Sequence, residues 1–281
     1  MGVVLAVVAA MTACSQPAEP KAATKPRHAQ REQSGASVAL DLTAETAVPT
    51  LYPLRLPERE AQSIVGIALE GEAAAVRIYA VHRSMLPAQA DSLPLYAGSG
   101  ATAVNPAAAA ILAEPTTRLL FYGRRSAVGL QFPMGWGLPL QPEETVMAEV
   151  EWQTAGQVRH IQVALADVGL KPLTPWVAEA GNRRALDAPA HMRASATVPA
   201  GHQIYWISLI ASPGLVPHLL TVNAVAVPLQ FGATDLQDFF VPVHGRPAAV
   251  SQPVELTCAT RASTEISAST DCGVFGYFYQ P

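Results

Sequence analysis

Proline sets the first limit on what this chain can fold into. Its 24 prolines are spread through turn-like stretches such as LRLPERE, GLPLQPEE, TVPAGHQ, ASPGLVP and VHGRPAA. Each one removes a helical hydrogen bond and clashes with the preceding turn, so long helices are excluded over most of the sequence. Between the turns stand SVALDL, AQSIVGIAL, AAVRIYAVHR, TVMAEVEWQ, RHIQVALADV, HQIYWISLIA, HLLTVNAVAV and GVFGYFY. These either alternate apolar with polar or small residues or run apolar over strand-like lengths. The one helical signal is NPAAAAILAE, where Asn105 is placed to cap and Pro106 to occupy the first turn. Short, regularly punctuated strands predict an all-β protein made of β-sandwiches or jelly rolls. The pattern relaxes near VGLKPLTPWVAEAGN, which predicts one sandwich over residues 38–172 and a second over 173–281.

The N-terminal residues belong to neither sandwich. MGVVLAVVAAMTACSQP is too short an apolar run to span a bilayer and fits a secretory signal, residues 1–13, better than a core helix, for which capping signals are missing. MTAC resembles a bacterial lipobox, although Met11 stands where leucine is usual and no positive n-region precedes it. The expectation is lipidation of Cys14, with Ser15 compatible with sorting to the outer membrane of a bacterial cell envelope. Residues 14–37, rich in Pro, Ala, Gln and charge, read as a disordered tether in which His28 is solvated. The formal charge of −4, with Lys and Arg scattered, offers no footprint for nucleic acid. The partners expected are therefore the membrane, through the lipid, and an envelope protein.

With Cys14 assigned to a lipid, Cys258 and Cys272 remain, and an even pair in an oxidising compartment predicts a disulfide, with two free thiols as the alternative. Their spacing fits a hairpin bridged across its strands.

Several segments, in chain order, resemble the copper type II, ascorbate-dependent monooxygenases, the family of peptidylglycine α-hydroxylating monooxygenase. They are LYPLRLP, YAVHRSML, LLFYGRRSAVGLQFPMGWGLPLQPEETVMAEVEWQ, ASATVPAGHQ, VPHLLTVNAVAV, VELTCAT and STDCGVFGYFY. The resemblance implies two tandem jelly rolls, each holding one copper in working members, through a His pair with a third His and through His-x-His with a Met. At the first site His82 keeps one ligand, while Arg83 and Glu151 stand in place of the other two. At the second, Val225, Val227 and Asp271 stand in place of all three, and His218 matches a histidine outside the copper shell. Positions that read a substrate carboxylate in the family hold Asn223, Gly273 and Phe275. His82 is thus a weak remnant of a metal ligand, because a lone imidazole binds metal poorly. Arg83 and Glu151 are expected to meet as an ion pair, and Val225 and Val227 to fill the vacated second site with apolar bulk.

The functional expectation is a non-catalytic envelope lipoprotein on a monooxygenase-like scaffold, without cofactor, binding a partner or ligand. The alternative is a copper-dependent monooxygenase or single-metal relative that draws ligands from His160, His191, His202 or His244. His191 with Met192 and His202 reads as a loop and a strand start, and the arginines of FYGRRSAV as a solvated turn. Asp187, Asp235 and Asp238 show no nucleophile-and-base spacing. Trp136, Trp152, Trp176 and Trp206 read as core or sandwich-edge residues.

Overall fold

A computed structural model describes residues 36–56, 62–73, 75–86, 91–97, 103–124, 129–166, 170–182, 191–211, 215–227, 238–240, 249–260 and 270–281. These residues are overwhelmingly β-structure. The only α-helix among them, α1 (Pro106–Ala113), starts where expected: Asn105 Oδ1 accepts from the Ala107 amide at 3.1 Å, and Pro106 sits in the first turn, where a missing N–H costs nothing. None of the described helices is long and apolar enough to cross a membrane.

The first half contributes eight main strands: β1 (Ser37–Thr43), β2 (Thr50–Leu54), β3 (Gln62–Gly71), β4 (Ala75–His82), β5 (Arg118–Arg124), β6 (Trp136–Leu140), β7 (Glu144–Glu151) and β8 (Val158–Ala166). They form two sheets in the orders β1-β8-β3-β6 and β2-β7-β4-β5. The second half contributes β9 (Thr174–Asn182), β10 (His191–Val198), β11 (Gln203–Ala211), β12 (Leu215–Val222), β13 (Val225–Val227), β14 (Asp238–Phe240), β15 (Gln252–Thr260) and β16 (Thr270–Tyr279). Their sheets run β9-β16-β11-β14 and β10-β15-β12-β13, the same order repeated. In each half the first strand pairs with the eighth, the second with the seventh, the third with the sixth and the fourth with the fifth, all antiparallel. Each half is thus a long hairpin rolled up so that alternate rungs fall into opposite sheets. Strand pairing changes over at Leu173, since every described pairing lies wholly before or wholly after it.

Packing does not stop there. One buried cluster takes in Leu120, Phe121 and Tyr122 from β5 together with Trp206, Phe275, Tyr277 and Tyr279 from the second half. Phe121 stacks on Trp206 with ring centres 6.5 Å apart, Phe132 meets Tyr277 edge-on at 5.2 Å, and Trp136 meets Tyr279 at 4.6 Å. The Tyr277 hydroxyl donates to the Leu120 carbonyl at 2.7 Å, so the polar tip of a fully buried phenol is satisfied across the seam.

Cys258 and Cys272 are bonded and fully buried. The bond does not cross-link paired strands of a hairpin, as their spacing suggests. Cys258 lies on β15, whose neighbours are β10 and β12, and Cys272 on β16, whose neighbours are β9 and β11. It therefore ties one sheet of the second sandwich to the other through the core, because successive strands of this order alternate between sheets.

Candidate functional site

Strands β4 and β7 are central in their sheet and buried on both faces. Alternation places Val76, Ile78 and Ala80 of β4 with Val146, Ala148 and Val150 of β7 on the face toward the sandwich core. The opposite face carries Tyr79, Val81 and Met147, which join Leu51, Leu95 and the α1 residues Ala108 and Ile111 in a separate apolar cluster. Further along this face the same alternation presents Arg77 from β4 and Glu149 from β7. Those two are direct cross-strand partners, and Tyr122 of β5 is opposite Arg77 on its other side.

Arg77 Nη1 donates to Glu149 Oε1 at 2.9 Å, and the Tyr79 hydroxyl donates to Glu149 Oε2 at 2.7 Å. The guanidinium carbon stands 5.0 Å from the centre of the Tyr122 ring, within cation–π range. Glu151, half-buried at the rim, brings Oε2 to 3.7 Å from the same Nη1. Arg77 and Glu149 are 7 % and 3 % exposed, so water screens this pair little. Burial by itself disfavours the charged guanidinium, but Glu149, with Tyr122, Tyr79 and Glu151, outweighs it and raises the Arg77 pKa above the ordinary arginine range. A raised pKa means that the stabilisation is fully present below that range and is lost only at still higher pH.

The register of β4 against β7 overturns the expected Arg83–Glu151 ion pair. His82 is opposite Glu144 and Ala75 is opposite Glu151, so the two ends lie seven residues apart along the strands, roughly 23 Å at about 3.3 Å per residue. Arg83 instead donates from Nε to the Pro142 carbonyl at 3.2 Å and from Nη1 to the Leu56 carbonyl at 3.3 Å. The Glu151 carboxylate instead faces Arg77, a residue to which the sequence alone assigned no role. Its signal was present: Arg77 and Glu149 are charges flanked on both sides by apolar residues within their strands, which predicts pairing and not solvation.

His82 caps a short 3₁₀ turn over Arg83–Met85. Its Nδ1 accepts from the Ser84 amide at 3.3 Å and lies 2.7 Å from the Ser84 hydroxyl. Glu144, across the sheet from it, is engaged by Arg118 through Nε and Nη2 at 3.1 and 2.7 Å. An imidazole whose nitrogen is committed to a cap, a guanidinium that offers N–H donors and no acceptor, and a carboxylate at the far end of the strand do not make a copper donor set. The residues at the first expected copper position therefore do not fit that ion.

The second expected position fares no better. Val225 is 68 % exposed and does not fill a vacated space, while Val227 is half-buried against the core of the second sandwich. The reason lies in the turn before them. Val222 pairs with Val225 across a two-residue loop, and Asn223 and Ala224 both have positive φ, 52° and 60°, the conformation of a tight hairpin turn. Val225 is thus lifted to the hairpin tip. Alanine pays a steric cost in this conformation that glycine does not, so Ala224→Gly is expected to raise stability by about 0.5–1 kcal/mol. A thermal melt reads it as a gain of roughly 1–3 °C, and a loss would contradict the turn assignment.

Asp271 pairs through its backbone with Gly181, and Gly273 with Glu179 and Ile210, while Phe275 is buried against Trp206. Of the alternative ligands, His160 bonds Asp41 at 2.6 Å, His202 packs edge-on against Phe278 at 5.0 Å, and His191 pairs through its backbone with Ala259. His218 is exposed. Among the described residues, no three His, Cys, Asp or Glu side chains converge as metal ligands. Cys14, His28, Arg125, Asp187, Asp235 and His244 lie outside the described residues. No family model and no curated protein matches this chain.

Proposed function

We propose that the chain is a non-catalytic protein of the bacterial cell envelope, two jelly rolls in tandem on a scaffold of the copper type II monooxygenase kind, lipid-anchored at Cys14 and binding a protein partner or ligand. The jelly-roll reading is supported by the pairing of first with eighth, second with seventh, third with sixth and fourth with fifth strands in both halves. The non-catalytic reading is carried by one observation: where the resemblance puts a metal ligand, Glu151 faces the buried Arg77–Glu149 pair, with its Oε2 3.7 Å from the Arg77 guanidinium. Fold alone does not give function; the chemistry of these side chains is what supports the reading.

Protein made with its leader, purified in copper-containing buffer and then desalted is expected to carry far less than one copper per chain and to show no ascorbate-dependent oxygen uptake. Stoichiometric, chelator-sensitive copper would install the monooxygenase reading instead. Radiolabelled fatty acid is expected to enter the wild-type chain and not the Cys14→Ala variant; equal labelling of both would remove the anchor.

A further inference from the structure

The mismatch with copper has its own structural content. On one face of the β2-β7-β4-β5 sheet, two carboxylates and two phenols among the described residues lie around one cation, and that cation is part of the chain. Glu149 uses both oxygens, one on Arg77 and one on the Tyr79 hydroxyl. Glu151 approaches the same guanidinium nitrogen from the rim, and the Tyr122 ring presents its face to the guanidinium carbon. Among the described residues, the carboxylates of Glu149 and Glu151 both face this one guanidinium.

We propose that Arg77 acts as the resident cation of an anionic pocket, so that removing its side chain opens a site for a small planar cation of the guanidinium class. One N–H donor of such a cation meets Glu149 Oε1, as Arg77 Nη1 does, and a flat, weakly hydrated cation suits the Tyr122 face. An inorganic ion fits less well, being more strongly hydrated and offering the ring no flat surface. The inference uses this geometry alone and does not rest on the non-catalytic reading. Copper in the wild-type chain would sink that reading, whereas only the Arg77 variants bear on this one.

The test uses the full chain with its disulfide intact and methylguanidinium at non-denaturing, millimolar concentration as the probe. Arg77→Ala is expected to melt well below wild type, and methylguanidinium at about ten times its dissociation constant to restore roughly 2–4 °C. Sodium chloride of equal ionic strength is expected to restore none of it, and the wild-type melt to be unmoved. Restoration by salt alone, an equal shift in wild type, or a folded but unresponsive Arg77→Ala chain would each overturn the proposal. If Arg77→Ala does not fold, the Arg77→Met, Glu149→Leu double variant decides. Removing cation and chief anion together is expected to give a folded chain without a methylguanidinium response, and a double variant that is unfolded or responsive would overturn the proposal.

Discussion

Glu149→Ala is expected to lower stability by about 3–5 kcal/mol, the range for removing one partner of a buried ion pair. The loss comes less from the attraction forfeited than from what stays behind: an Arg77 guanidinium that is 7 % exposed and a buried Tyr79 hydroxyl, both deprived of their bonds to Glu149. Glu151 stands 3.7 Å from the same guanidinium and is half-exposed, so it replaces only part of that charge. Glu151→Ala is accordingly expected to cost no more than about 1 kcal/mol, as partly solvated pairs do. Urea denaturation of the two variants checks both. Equal losses would mean that Glu149 has no special place, and a loss under about 1 kcal/mol for Glu149→Ala would show that water reaches the pair.

Replacing Cys258 and Cys272 together by alanine is expected to cost about 2–5 kcal/mol, which a thermal melt reads as a fall on the order of 10 °C. Two terms add. The closed loop spans a sequence separation of 14, and a loop of about that length restricts the unfolded chain by roughly 3 kcal/mol. Both sulfurs are also fully buried in the core that holds Leu209, Leu220, Leu256 and Val274, so their loss leaves a void. Because the bond joins the two sheets of the second sandwich, its removal should speed hydrogen exchange in β15 and β16 before it does so in β4 and β7. Uniform acceleration would mean that the aromatic seam couples the halves more tightly than the disulfide holds its own.

Much of the fold was legible in local chemistry. Alternation in AAVRIYAVHR and TVMAEVEWQ marked β4 and β7, proline and glycine marked their ends, and Asn105 with Pro106 marked the start of α1. The candidate site was not legible in the same way. Arg83 and Glu151 were matched by their positions in a linear resemblance, and their separation by nearly the full length of two strands is a property of register that neither segment encodes alone. Val225 and Val227 misled for a related reason: two apolar residues in alternation read as buried, and only the turn at Asn223 and Ala224 lifts Val225 out of the core.

The sequence by itself determined that this would be an all-β chain and where α1 would start, because backbone limits at proline and a two-residue side-chain period act within a few residues of each other. It also narrowed the disulfide to a single pair once Cys14 was set aside. Tertiary structure decided which sheets that disulfide joins, which cation Glu151 faces and which charges are buried. Arg77 and Glu149 stand 72 residues apart in the chain, and only antiparallel pairing across that distance puts a guanidinium and a carboxylate on the same face of the same rung.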